Sequence, residues 1–128
     1  MSMLDMLLAA DVGIFTDTPQ SELEVSRLSK ALGGPFIITV RALSFREFDR
    51  LPKGDDFKAH AILAATTEPV FKDQQLAQKL TPKDRKSPLT PVEVVYTLLL
   101  PGEVANIFNE ISRLSGYDDE AVARIGKN

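Results

Sequence analysis

The chain has no cysteine and a single histidine in its 128 residues. Without thiols, disulfide frameworks, cysteine nucleophiles and cysteine-ligated zinc are all excluded. One imidazole excludes a histidine-cluster metal site within a single chain. No apolar run approaches the roughly 20 residues that a membrane-spanning helix needs. The first stretch, MSMLDMLLAAD, is apolar but has no basic leader, and its first charge is Asp5, so it is a poor signal peptide. Lys and Arg number 15 against 18 Asp and Glu, a net charge of −3. That mildly acidic balance argues against general nucleic-acid binding. No internal repeat or low-complexity tract occurs. The expectation left standing is a soluble intracellular domain.

What is present is ordinary for a globular protein: 44% hydrophobic and 26% charged residues. For this mass, scaling laws give roughly 6,700 Å² of folded surface against roughly 20,000 Å² unfolded, enough burial for one core but not two. The expected arrangement is therefore a single domain over 1–128.

Met3, Leu4, Leu7 and Leu8 have the spacing of a short amphipathic helix ending near Asp11–Gly13. At two turns it cannot be stable alone, so it must dock on this chain or on another. Residues 14–21 read as an extended arm. From Glu22 the period changes: Leu23 and Val25 alternate with polar neighbours, as in a strand. Residues 27–32 suit a turn of helix, stopped by Gly33–Gly34–Pro35. FIITVRAL places Phe36, Ile38, Val40 and Ala42 on one face, the clearest strand pattern in the chain.

Ser44 and Glu47 form a capping-box pair that opens a helix with Phe45, Phe48 and Leu51 on one face. Residues 57–66 alternate through Phe57, Ala59, Ala61 and Leu63 and read as a third strand, although alanines also suit a helix. Residues 70–80 suggest a weak helix on Leu76 and Leu80. Pro82, Pro88 and Pro91 mark 81–91 as a connector. Thr90-Pro91-Val92-Glu93 is a strong helix start, followed by a stripe at Val92, Val95, Tyr96 and Leu99. Pro101 opens a further helix with Val104, Ile107, Phe108, Ile111 and Leu114, and Gly116 suits its C-terminal cap. Asp118 is placed to cap a last short helix bearing Val122 and Ile125. The fold class expected is α+β: a small antiparallel three-stranded sheet with a short helix, then a helical C-terminal half. Its parts are an N-terminal helix and arm (1–21), an α+β unit (22–66), a weak helix and Pro-rich linker (67–89) and a helical region (90–126).

Residues that could carry chemistry have plainer explanations. His60 lies beside Lys58 with no named activating partner and reads as a solvated side chain. Asp55 and Asp56 follow Gly54 in a turn, where these residue types are favoured for backbone reasons. Lys79, Lys83, Arg85 and Lys86 make a basic cluster diluted by Asp84, with no interleaved aromatics to stack on bases. No catalytic or metal site is expected. The features that carry most weight are Leu4, Leu7, Leu8 and Phe15, large apolar side chains on a segment too short to fold alone. They suit packing on the chain's own core, or a sticky arm for self-association or a partner.

Three blocks carry a resemblance: MSMLDMLLAAD at the start, RLSKALGGPFIITVRALSFREFDRL (27–51) and SPLTPVEVVYTLLLPGEVANIFNEISRLSGYDDEAVARI (87–125). Together they resemble the tail assembly chaperones of phages and prophages of the PBSX type in Gram-positive bacteria. The resemblance implies a non-enzymatic protein without cofactor, acting in the bacterial cytoplasm and absent from the finished virion. Its implied partners are the tape measure protein, the tail tube protein and further copies of itself, with no nucleic acid or membrane. It also implies ribosomal −1 slippage near the end of such genes; Gly126-Lys127-Asn128 can be encoded with the slippery heptamer A-AAA-AAC. The alternative is a structural tail-completion or baseplate component.

Overall fold

The computed structural model describes residues 2–126; Met1, Lys127 and Asn128, two of which carry the slippage reading, lie outside the described residues. Three strands form one antiparallel sheet in the order β1 (Gln20–Glu24), β2 (Ile37–Arg41), β3 (Thr66–Glu68). In the first pair Leu23 faces Ile38 and Ser21 faces Val40. The second pair is short and irregular, with Thr39 opposite Glu68 and Val40 opposite Thr66. The β2 alternation is as expected: Ile38 and Val40 are fully buried, while Ile37 stays exposed. Helix α3 (Ser26–Leu32) follows β1 and ends on Gly33, whose φ of 74° lets the chain reverse without strain.

The α+β class holds, with one exchange of type. Residues expected to form the third strand, Phe57–Ala65, are helix α5, and the third strand is the three residues after it. Ala59, Ala61, Ile62 and Ala65 are all buried. Helix α5 lies between β2 on one side and α7 (Pro91–Leu98) and α8 (Pro101–Leu114) on the others. A helix covered on nearly every side needs small residues at both parities, and their alternation imitates a strand. Ile62 with Ile38, Val40, Val94, Val95 and Ile111 forms the fully buried centre.

Helix α4 (Phe45–Arg50) starts at the expected capping box: Ser44 Oγ accepts from Glu47 N, and Glu47 accepts from Ser44 N. Its apolar face is narrower than expected. Leu51 is buried and Phe48 half-buried, but Phe45 is 91% exposed. At 100° per residue Phe45 stands about 60° from Phe48 and about 120° from position 51, at the outer edge of the face, and nothing covers it there. Helix α6 (Gln74–Leu80) begins at Asp73 and packs on α7. The Thr90–Glu93 box opens α7 as expected. Leu100 has no side-chain acceptor, so at α8 only the reciprocal half forms, Leu100 N to Glu103 Oε1 at 2.8 Å. Helix α8 closes on Gly116 at φ 92°, with Tyr117 N donating to Ser112 O.

Two further expectations fail. The arm over 14–21 is not extended throughout, because Gly13–Thr16 is a turn of helix, α2, initiated by Asp11 accepting from Gly13 N. No helix forms over 118–125: Asp118 accepts from Glu120 N in a local turn, and Val122 and Ile125 are 88% and 92% exposed. No described helix is long and apolar enough to cross a membrane.

Among the described residues, three arginine–carboxylate pairs tie elements together and a fourth lies within α8. Arg27 on α3 forms a two-pronged bond to Glu103 at 2.9 and 3.0 Å and also donates to Leu98 O. Arg41 holds Glu47, Arg85 in the linker holds Glu93, and Arg113 holds Glu110. Glu47, Glu93 and Glu103 thus each serve a helix start and an arginine at once. The Arg41 guanidinium first, with the Ser44 amide, holds Glu47 down at about 2; Arg85 and Thr90 do the same for Glu93.

Candidate partner-binding surface

The chain exposes 9401 Å², well above the roughly 6,700 Å² expected of a compact protein this size. Part of that excess is the N-terminal arm, α1 (Met3–Ala9) with α2. Helix α1 is capped by Ser2, whose Oγ accepts from Asp5 N at 3.1 Å while Asp5 accepts from Ser2 N. Nothing in either helix is buried. Leu4 is 62%, Leu7 56%, Leu8 74% and Phe15 55% exposed, and Met3, Met6, Val12 and Ile14 are exposed beside them.

The arm's hydrogen bonds all close within residues 2–17. The first backbone link to the body is Ala42 N to Pro19 O at 2.9 Å, where β1 begins. All four residues expected to mediate association are therefore on one exposed arm and absent from the core cluster. A seven-residue helix is marginal in water, and this one leaves a run of large apolar side chains uncovered.

The residues with possible catalytic chemistry are placed otherwise. His60 is half-buried on α5 rather than on a strand face. Asp56 Oδ1 accepts the Tyr96 hydroxyl at 2.9 Å, pinning the start of α5 to α7. Burial, with that bond to Asp56, raises the Tyr96 pKa. Asp55 stays in the turn. Among the described residues, no three acidic or histidine side chains converge as a metal site would require.

The basic cluster divides. Arg85 is committed to Glu93, with Nη1–Oε2 at 2.7 Å and Nη2–Oε1 at 2.8 Å. Lys79, Lys83 and Lys86, and Lys72 outside the cluster, are exposed and in no ion pair among the described residues. Between α6 and α7 lies a cleft of about 470 Å³ with Phe71, Ala77, Leu89 and Val94 as its apolar lining and Lys72 at its edge. Thr81, outside the lining, ties two of its residues together: its hydroxyl donates to Ala77 O and accepts from Leu89 N at 3.0 Å. The sequence pattern missed this cleft. Phe71 stood outside every periodic run, and Val94 lay off the stripe through Val92 and Val95. A second apolar surface is aromatic: Tyr117 stacks edge-on to Phe48 at 5.3 Å and Phe57 to Phe108 at 5.8 Å, with Lys53 and Lys58 over the rings.

Residues 53–125 match the family model described as phage XkdN-like tail assembly chaperone protein. The crystal structure of the protein YqbN is similar at 25% identity and a TM-score of 0.58, over 86% of this chain and 99% of that one. No curated protein matches the chain. Since the matched residues run from the turn before α5 through α8 and make up more than half of the chain, it belongs to the XkdN-like family of phage tail assembly chaperones.

Proposed function

We propose that this chain binds the phage tape measure protein, keeps it soluble until the tail tube surrounds it, and promotes tube polymerisation along it. A tape measure protein is a long amphipathic helix awaiting burial, and its apolar stripe drives aggregation while bare. The observation that carries the reading is the arm: Leu4, Leu7, Leu8 and Phe15 all lie on an exposed segment outside the core. Several copies associated through such arms coat a long stripe by avidity, without tight individual contacts. The reading puts the protein in the bacterial cytoplasm and out of the finished particle, with no catalytic step.

The test is co-expression with the phage's tape measure protein. Recovery of that protein in the soluble fraction, in complex with this chain, supports the reading. A tape measure protein that stays insoluble refutes it, as does this chain in purified virions at structural stoichiometry, which is the mark of a tail-completion or baseplate component. A minority product lengthened by −1 slippage at the codons for Gly126-Lys127-Asn128 belongs to the same reading. The gene sequence and peptides crossing into the shifted frame decide it.

A further inference from the structure

From the match between the arm and the α6–α7 cleft, we infer that the arm of one copy docks in that cleft on a second copy. The inference rests on the reading of the arm as an association element, and supplies its acceptor. Residues 2–19, the arm ahead of β1, carry Asp5, Asp11 and Asp17 and not one Lys, Arg or His. The arm is thus apolar and acidic together. The cleft is the reverse in charge and alike in polarity. Its lining is Phe71, Ala77, Leu89 and Val94, and Lys72 stands at its edge. Across Gln78 and Pro88 it continues into a second hollow, of about 390 Å³, lined by Lys83, Arg85 and Lys86. Arg85 is taken by Glu93, which leaves three ammonium groups around an apolar trough.

The other hollows fit an acidic helix less well. The one between α5 and α7 shares Lys72 but is bordered by Asp56 and Glu93 as well. The aromatic one sets Asp49 beside Lys53, and its Tyr117 leads directly into Asp118, Asp119 and Glu120. Carboxylates at both sites offset the lysines there, whereas no carboxylate among the described residues lines the α6–α7 cleft or the hollow it continues into, so its lysines attract and orient the arm. In the single chain the described residues of the arm make no hydrogen bond to the body and its large apolar side chains are open, so its own cleft is left vacant. A second copy supplies a matching site with nothing beyond this sequence. The contact is head-to-tail, so it runs on from copy to copy or closes into a ring.

The absence of native cysteine makes the test direct. One full-length protein carries Leu7→Cys, another Gln78→Cys, and the two are mixed under mild oxidation. The expected result is a mixed disulfide dimer several-fold in excess of its statistical share over the two homodimers. Adding Lys72→Glu, Lys83→Glu and Lys86→Glu to the Gln78→Cys protein abolishes that excess. Adding Asp11→Lys and Asp17→Lys to the Leu7→Cys protein restores it. These are exposed positions, so the folded body persists, which circular dichroism verifies. Statistical proportions of the three dimers overturn the inference. So does a Leu7→Cys/Gln78→Cys double variant that closes on itself as a cross-linked monomer, because the arm then occupies its own cleft. The two readings fail separately. A soluble tape measure protein without mixed dimers refutes the docking alone, and mixed dimers beside an insoluble tape measure protein refute the chaperone reading alone.

Discussion

Replacing Leu4, Leu7 and Leu8 together with alanine separates an association arm from a piece of core. Alanine is the best helix former, so α1 keeps its local preference while losing its apolar bulk. Three core leucines treated this way would cost about 2–5 kcal/mol each, enough to erase the whole stability of a small protein. Here the side chains are 62%, 56% and 74% exposed, and no hydrogen bond joins α1 to the body. The isolated chain therefore loses at most about 1 kcal/mol, the local shielding within the arm itself. Association loses far more. If docking covers the exposed half or more of each leucine, the triple change removes about 3 kcal/mol, a roughly 100-fold rise in the dissociation constant. Urea unfolding of dilute protein, followed by circular dichroism, reads the first quantity; sedimentation over a concentration series reads the second. Ile62→Ala, at a fully buried centre position, is the control and should cost about 2–5 kcal/mol. A triple variant that is destabilised as much as Ile62→Ala while dilute would refute the placement of the arm outside the core.

Acid should weaken the fold in a defined window. Glu47 and Glu93 are depressed to about 2 in the folded state, so their stabilisation is complete above the ordinary carboxylate value near 4.5 and is lost as pH falls toward 2. For Glu47, about one-third exposed, solvent screening reduces the effect to about 1 kcal/mol, and urea midpoints between pH 5 and 2.5 should show Glu47→Gln flattening the slope. Thr90→Ala removes the acceptor of Glu93 N at the start of α7 and should cost about 1 kcal/mol by thermal unfolding.

Legibility followed how local the cause was. The Ser44–Glu47 and Thr90–Glu93 boxes, the Ile38 and Val40 face and the Gly116 cap are each decided by a few neighbouring residues, and they lie where the sequence places them. Helix α5 was misread because its environment, not its own pattern, decides its type: Ala59 and Ala61 are buried against different neighbours, and no polar face is left to set the period. The alanines' helix preference was the better guide there. Phe45 was misplaced because spacing does not tell whether anything covers the edge of a face. The segment after Tyr117 was overread, since a capping aspartate and two apolar residues make a helix only if something covers them. The arm was conspicuous because it is too short and too apolar to stand alone. The α6–α7 cleft could not be read at all, since Phe71, Ala77, Leu89 and Val94 come from separate segments that only tertiary packing brings together.

The glutamates that start α4, α7 and α8 also set an order of assembly. Arg41 and Glu47 are six residues apart and Arg85 and Glu93 eight, so both pairs close small loops and can form as soon as their helices nucleate. Arg27 and Glu103 are 76 residues apart. Loop-closure entropy makes that contact about 2 kcal/mol harder to reach than the six-residue pair before anything else is in place. The start of α8 is thus expected to be completed only once α8 has packed against the β1–β2 unit that carries α3. A chain lacking the Arg27 clamp should reach its native state at nearly the normal rate and leave it faster, which makes this one surface arginine a regulator of residence time in the folded state rather than of the route into it.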